Sequence, residues 1–159
     1  MDAAGTTEFG YDRAGRTSNV VDPQTNSTIS YDYDSAGRPT GETYRPTTTG
    51  EATARSAPSA DRRYSYDPFG RLAYDAIYNA QGAAQQQTSY TYDADNRLTG
   101  RNDSTTGGRN NTYAYDLAGR LTEWNDGTTV TPYTWDPAGN RTSAADKTAT
   151  YDERNRLLT

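Results

Sequence analysis

The chain is 159 residues long, carries a formal net charge of −5 and is only 31% hydrophobic, with 13 residues of Leu, Ile, Val and Phe combined. So few aliphatic side chains cannot fill a conventional core, yet 14 Tyr and 2 Trp set the sequence apart from disordered chains, so aromatics must carry the fold. The absence of Cys and His excludes disulfides, thiolate nucleophiles, imidazole bases and the usual zinc ligand sets, and the mild acidity argues against a nucleic-acid partner, which needs clustered cations.

One unit recurs seven times along the chain: an aromatic residue, Asp, two variable residues, Gly or Asn, then in six copies Arg. The first copy follows Phe9 and Tyr11 as Asp12-Arg13-Ala14-Gly15-Arg16, and the second follows Tyr31 and Tyr33 as Asp34-Ser35-Ala36-Gly37-Arg38. Residues 47–58, rich in Thr, Gly, Ala, Ser and Pro, read as the longest loop. The third copy follows Tyr64 and Tyr66 as Asp67-Pro68-Phe69-Gly70-Arg71. Tyr78 to Gln87, rich in Ala and Gln, fits either a helical turn or a hairpin tip. Tyr90 and Tyr92 then lead into Asp93-Ala94-Asp95-Asn96-Arg97, and Tyr113 and Tyr115 into Asp116-Leu117-Ala118-Gly119-Arg120. Tyr133 and Trp135 lead into Asp136-Pro137-Ala138-Gly139-Asn140, and Tyr151, preceded by Ala149, leads into Asp152-Glu153-Arg154-Asn155-Arg156. Return turns are expected at Thr106-Gly107-Gly108, Asn125-Asp126-Gly127 and Ala145-Asp146-Lys147.

Each unit reads as a type I turn, which favours Asp first, Pro second and Gly fourth. The fourth residue (Gly15, Gly37, Gly70, Asn96, Gly119, Gly139 and Asn155) is expected in the left-handed region, where Gly costs nothing and Asn is the next most tolerable. The opening aspartates (Asp12, Asp34, Asp67, Asp93, Asp116, Asp136 and Asp152) are expected to accept hydrogen bonds from their own turn's amides. Aromatics two apart share one face of a strand, whereas a helix would set them about 200° apart. The prediction is therefore an all-β fold of antiparallel hairpins over residues 1–159 as a single domain, its rings forming a ladder. The cations are 15 Arg and one Lys, a bias that suits planar hydrogen bonding and stacking.

The seven units, fullest as Tyr-Asp-x-x-Gly-Arg-Leu, resemble the YD-repeat of the RHS family and of the related teneurin and Tc-toxin shells from Tyr11 to Leu157. The resemblance implies a β-ribbon that spirals into a hollow shell, in bacterial members around a C-terminal toxin or effector, in a secreted or cell-surface protein. It implies scaffolding without chemistry, no cofactor, and further YD repeats and an enclosed cargo as partners. The Asp-Pro pairs at Asp67 and Asp136 continue as Phe69-Gly70-Arg71 and Ala138-Gly139-Asn140, so they read as repeat turns and no protease is assigned. Seven repeats are fewer than a closed shell needs, so a fragment of a longer chain or an assembly of copies is expected.

Two other readings remain at this point. Sheet edges could add strands from further copies and give a filament, and exposed aromatic rows could hold sugars. Asp93-Ala94-Asp95-Asn96 lacks the Gly and closing Glu of a calcium loop, and no metal is assigned. No run approaches the roughly 18 apolar residues of a membrane helix.

Overall fold

The computed structural model describes residues 5–46, 60–105 and 107–159; the predicted loop at 47–58 lies outside the described residues. Among the described residues there is no helix, and 13 strands form an antiparallel sheet whose order follows the chain. They are β1 (Glu8–Tyr11), β2 (Thr17–Asp22), β3 (Ser27–Tyr33), β4 (Pro39–Pro46), β5 (Ala60–Tyr66), β6 (Leu72–Tyr78), β7 (Ala84–Tyr92), β8 (Leu98–Asp103), β9 (Asn110–Tyr115), β10 (Leu121–Asn125), β11 (Val130–Trp135), β12 (Arg141–Ala144) and β13 (Lys147–Thr148). The all-β antiparallel architecture read from the alternation of aromatics is the one the chain adopts. Packing divides the chain into two compact units, residues 1–88 and 89–159.

In the first unit, antiparallel pairing places opposed residues on one face, and the aromatic face collects the few aliphatics as well. Phe9, Val20, Ile29, Tyr44 and Ala60 face one another in a cross-strand row, and Tyr31, Glu42, Arg62 and Ile77 form the next. The other face carries Asp32, Gly41, Arg63 and Ala76 in register. Ala76 is the single fully buried apolar residue among the described residues, so pairing and edge bonds hold this sheet, rather than a sandwiched core. Tyr78 to Gln87 forms a hairpin between β6 and β7, closed by the Asn79 amide on the Ala83 carbonyl at 2.9 Å. The strands on both sides run straight into that turn, which leaves no room for a helical one.

In the second unit, β9 and β11 alternate residue by residue between exposed and half-buried, with Tyr113, Tyr115, Tyr133 and Trp135 on the half-buried face. Trp124 pairs with Tyr113 on one side and Thr131 on the other. The return turn between β10 and β11 falls at Asp126-Gly127, with Gly127 at φ +89°. The turn between β12 and β13 falls at Ala145-Asp146.

Candidate functional site

All seven fourth-position residues lie in the left-handed region, from Asn155 at φ 58° to Gly139 at φ 89°. At the first turn the Asp12 amide donates to the Arg16 carbonyl at 2.8 Å, and the Gly15 amide donates back to the Asp12 carbonyl at 3.0 Å. That pair of bonds is a type I turn closed by a left-handed residue. Asp12 Oδ1 accepts the amides of Ala14 (2.8 Å) and Arg16 (2.9 Å), while Oδ2 accepts Arg16 Nε at 2.7 Å. Asp34, Asp67, Asp93, Asp116 and Asp152 hold the same three donors in their own turns. Asp136 differs, because Asn140 stands where the others have Arg and gives its Nδ2 to Asp136 Oδ2 at 2.9 Å.

The same arginines reach the next turn. Arg16 lies 4.4 Å over the Tyr33 ring, with Nη1 3.4 Å from the Asp34 carbonyl. Tyr33 Oη donates back to the Thr17 carbonyl at 2.8 Å. Arg38 repeats the arrangement over Tyr66 at 4.4 Å, and Tyr66 Oη donates to the Pro39 carbonyl. In the second unit Arg97 covers Tyr115 and donates to the Asp116 carbonyl, while Tyr115 Oη donates to the Leu98 carbonyl. Arg120 covers Trp135 and donates to the Asp136 carbonyl at 3.0 Å, and Trp135 Nε1 donates to the Leu121 carbonyl at 2.8 Å. Tyr151 Oη donates to the Arg141 carbonyl at 3.1 Å. The accepting carbonyls of Thr17, Pro39, Leu121 and Arg141 immediately precede a bulge, where the strand ladder slips by one residue. Each turn is thus locked by its own Asp, and at four steps, Arg16 to Tyr33, Arg38 to Tyr66, Arg97 to Tyr115 and Arg120 to Trp135, a turn is tied to the following one by a guanidinium, a ring and one backbone acceptor.

Comparison with known proteins fits this repeat-to-repeat design. The family described as Teneurin YD-shell matches residues 61–159, and the one described as RHS Repeat matches residues 11–49. The chain belongs to the teneurin YD-shell family. A curated relative of this YD-shell chain, double-stranded DNA deaminase toxin A of Burkholderia cenocepacia (strain H111), is 32% identical over 94 residues, which are 59% of this chain and 6% of the relative. Among solved structures, a crystal structure of TcdB2-TccC3-Cdc42 aligns at a TM-score of 0.51 and 19% identity, covering 96% of this chain and 10% of that one. A Photorhabdus luminescens Tc holotoxin pore aligns at 0.50 and 20% identity with the same coverage. At these identities the solved structures share the fold, and the chain spans only a small part of each relative.

The electrostatics of the YD turns follow from their hydrogen bonds. At Asp12, Asp34, Asp93, Asp116 and Asp152 the amide of the Arg four residues on is the largest influence, and with that Arg's side chain it holds the carboxyl below its ordinary range. At Asp136 the Asn140 side chain does most of this. At Asp67 burial pushes the other way, and the bonds from Arg71 and Phe69 outweigh it. A carboxylate occupied by three donors and kept ionised is a structural clasp, poorly suited to giving or taking protons.

The inner rings of the YD ladder sit differently from the turn rings. Tyr64 Oη donates to Glu42 Oε1 at 2.8 Å and Tyr44 Oη to Glu42 Oε2 at 2.5 Å, which pushes the Tyr44 phenol up to about 12. Arg62 grips Asp75 through Nε and Nη2 at 2.9 and 2.8 Å and lies over Tyr64. Trp124 Nε1 donates to Asn111 Oδ1 at 2.9 Å. Tyr11 and Phe9 are exposed, Tyr31 is half-buried in the first unit, and Tyr90, Tyr92, Tyr113 and Tyr133 are half-buried in the second.

Sequence reasoning missed an eighth turn of this form. Asn79 Oδ1 accepts the amides of Gln81 (3.1 Å) and Ala83 (2.9 Å), and Gly82 has φ +76°. The signal was present in Tyr78-Asn79-Ala80-Gln81-Gly82, with the amide of Asn doing the work of a carboxylate. The role of Glu42 as acceptor for two phenols was also missed, because its partners lie on other strands or across the face of its own.

Proposed function

We propose that the chain is a structural, non-catalytic segment of a secreted or cell-surface bacterial protein whose YD repeats build a shell around a toxin or effector for delivery. The observation that carries this reading is the tie between consecutive turns: a guanidinium fixed by one turn's Asp rests on the next turn's ring. Such a link makes each repeat depend on its neighbour, so a wall extends by repetition as in other nearest-neighbour repeat proteins. The relatives point the same way, one being a deaminase toxin and another part of a Tc holotoxin pore. Because the chain covers 6% and 10% of these proteins, enclosure belongs to the longer protein, with further YD repeats and the cargo as its partners.

Electron microscopy of the complete gene product, combined with limited proteolysis of a tagged C-terminal segment, tests this. Hollow particles with a protected tag support the shell. Open fibres, which strand addition between copies would give, or a tag digested as fast as in the denatured protein, would overturn it.

A further inference from the structure

The aromatic face of the first unit holds two phenols on one carboxylate, away from the turn edge. Glu42 and Tyr44 lie two residues apart on β4 and so share that face. Tyr31 of β3 and Arg62 of β5 stand opposite Glu42, and Ile29 and Ala60 stand opposite Tyr44. Tyr44 Oη donates to Glu42 Oε2 at 2.5 Å, and Tyr64 Oη donates to Oε1 at 2.8 Å. The turn phenols are bonded differently, because Tyr33, Tyr66, Tyr115 and Tyr151 donate to backbone carbonyls. A backbone carbonyl accepts a hydrogen bond but is hardly basic, whereas a carboxylate can also take the proton.

The two partners of Glu42 are not equivalent. Tyr64 is half-buried, and the Arg62 guanidinium lies 5.1 Å from its ring centroid, where positive charge opposes removal of an electron. Tyr44 is 38% exposed, and beside it an open depression of about 270 Å³, with Thr25, Ser27, Pro46 and Ala60 in its lining, has room for a phenol ring. The bond to Glu42 is the largest influence on the Tyr44 phenol and raises it to about 12. At neutral pH an electron therefore leaves Tyr44 only together with its proton, and the acceptor for that proton is already in place.

We propose that Tyr44 is an oxidative coupling site whose partner is a small phenol, with Glu42 as the base. The Tyr44 O–H bond breaks, its proton passes to Glu42 Oε2, and its electron passes to a one-electron oxidant such as a haem peroxidase supplied with hydrogen peroxide. The second phenol is oxidised in the same way, and an ortho carbon of each ring forms the new C–C bond. The hydrogens on those two carbons then move to the two oxygens as the rings regain aromaticity, and Glu42 releases its proton. Each phenol has lost one proton and one electron, and one hydrogen peroxide takes up both pairs to become two waters. This inference is independent of the shell reading.

Brief oxidation of the 159-residue chain by photogenerated tris-bipyridyl ruthenium(III), with persulfate as the electron sink and N-acetyltyramine as the phenol, followed by peptide mass spectrometry, is the test. Tyr44 should carry about threefold or more the label of Tyr11. Accessibility alone would favour the reverse, since Tyr11 is 63% exposed. Glu42→Gln keeps an accepting oxygen but removes the base, and should cut the label at Tyr44 by about tenfold or more while Tyr11 keeps its own and the far-UV spectrum is unchanged. If Glu42→Gln disturbs the fold, the native chain decides. Label at Tyr44 should then stay level from neutral to mildly alkaline pH, because its proton goes to Glu42 among Tyr31, Tyr64 and Arg62, while label at Tyr11 climbs as solution bases take its proton. More label on Tyr11 or Tyr64 than on Tyr44, label at Tyr44 that survives Glu42→Gln in a folded chain, or label at Tyr44 that climbs with pH as at Tyr11 would overturn the proposal.

Discussion

Replacing Gly119 by Val isolates the backbone requirement of one turn. Gly119 has φ +80°, and the nearest atoms to a new Cβ would be Arg97 Nη1 at 3.8 Å and Cδ at 4.0 Å, ordinary contact distances. Steric collision is therefore small, and the cost comes from holding a β-branched residue in the left-handed region, about 1–2 kcal/mol. Gly119→Asn is the internal reference, because Asn96 and Asn155 already occupy this position at φ 64° and 58°. Urea unfolding at neutral pH should show the Val variant less stable than the Asn variant by about 1 kcal/mol with the same slope, a midpoint difference readily measured. A thermal scan should move the same way by about 2–4 °C. Equal midpoints for Val and Asn would show that left-handed geometry is not what selects Gly at these turns.

Tyr33→Phe removes the donor that satisfies the Thr17 carbonyl at 2.8 Å and should cost about 0.5–1.5 kcal/mol by urea unfolding; a neutral result would mean that water replaces the phenol freely. Asn140→Arg restores the fork found at the other six turns, and should slow amide exchange in peptides spanning 141–159 by an amount equivalent to about 0.5–1 kcal/mol, whereas unchanged exchange would refute the link between forks and neighbouring turns. The turn aspartates have folded pKa values below the ordinary 3.8, so their contribution is complete above that value and is lost as pH falls through the lower folded values. The urea midpoint should accordingly stay level from neutral pH to about pH 5 and drop below about pH 4; a loss already complete at pH 6 would contradict the clasps. Asp126, held at about 2 by the Thr128 hydroxyl and then by the amides of Thr129 and Thr128, should be among the last carboxylates to protonate in a carboxyl-resolved NMR titration.

The turns were legible because they are local. Asp67-Pro68-Phe69-Gly70 contains its own first residue, its preset φ and its left-handed close within four positions, so the sequence alone determined that the chain reverses there. Period-two pairs such as Tyr113 and Tyr115 likewise determined strand and face, since side chains alternate in any strand. Asn79 escaped only because a carboxylate was demanded where any short side chain with an accepting oxygen serves.

What each Arg does beyond its own turn could not be read, because Arg16 meets Tyr33 and Arg120 meets Trp135 only after the intervening strands have gone out and back. The bulge beside the paired rings Tyr11, Tyr33, Tyr66, Tyr115 and Trp135 was equally hidden, since it is a slip in register between two strands and not a property of either. That Asp32 and Arg63 stand on either side of Gly41 likewise depends on how β3 and β5 pair with β4. Sequence spacing settled where the chain turns and which side each ring takes; pairing across strands decided which groups touch, because hydrogen-bond register is fixed only when both partners are in place.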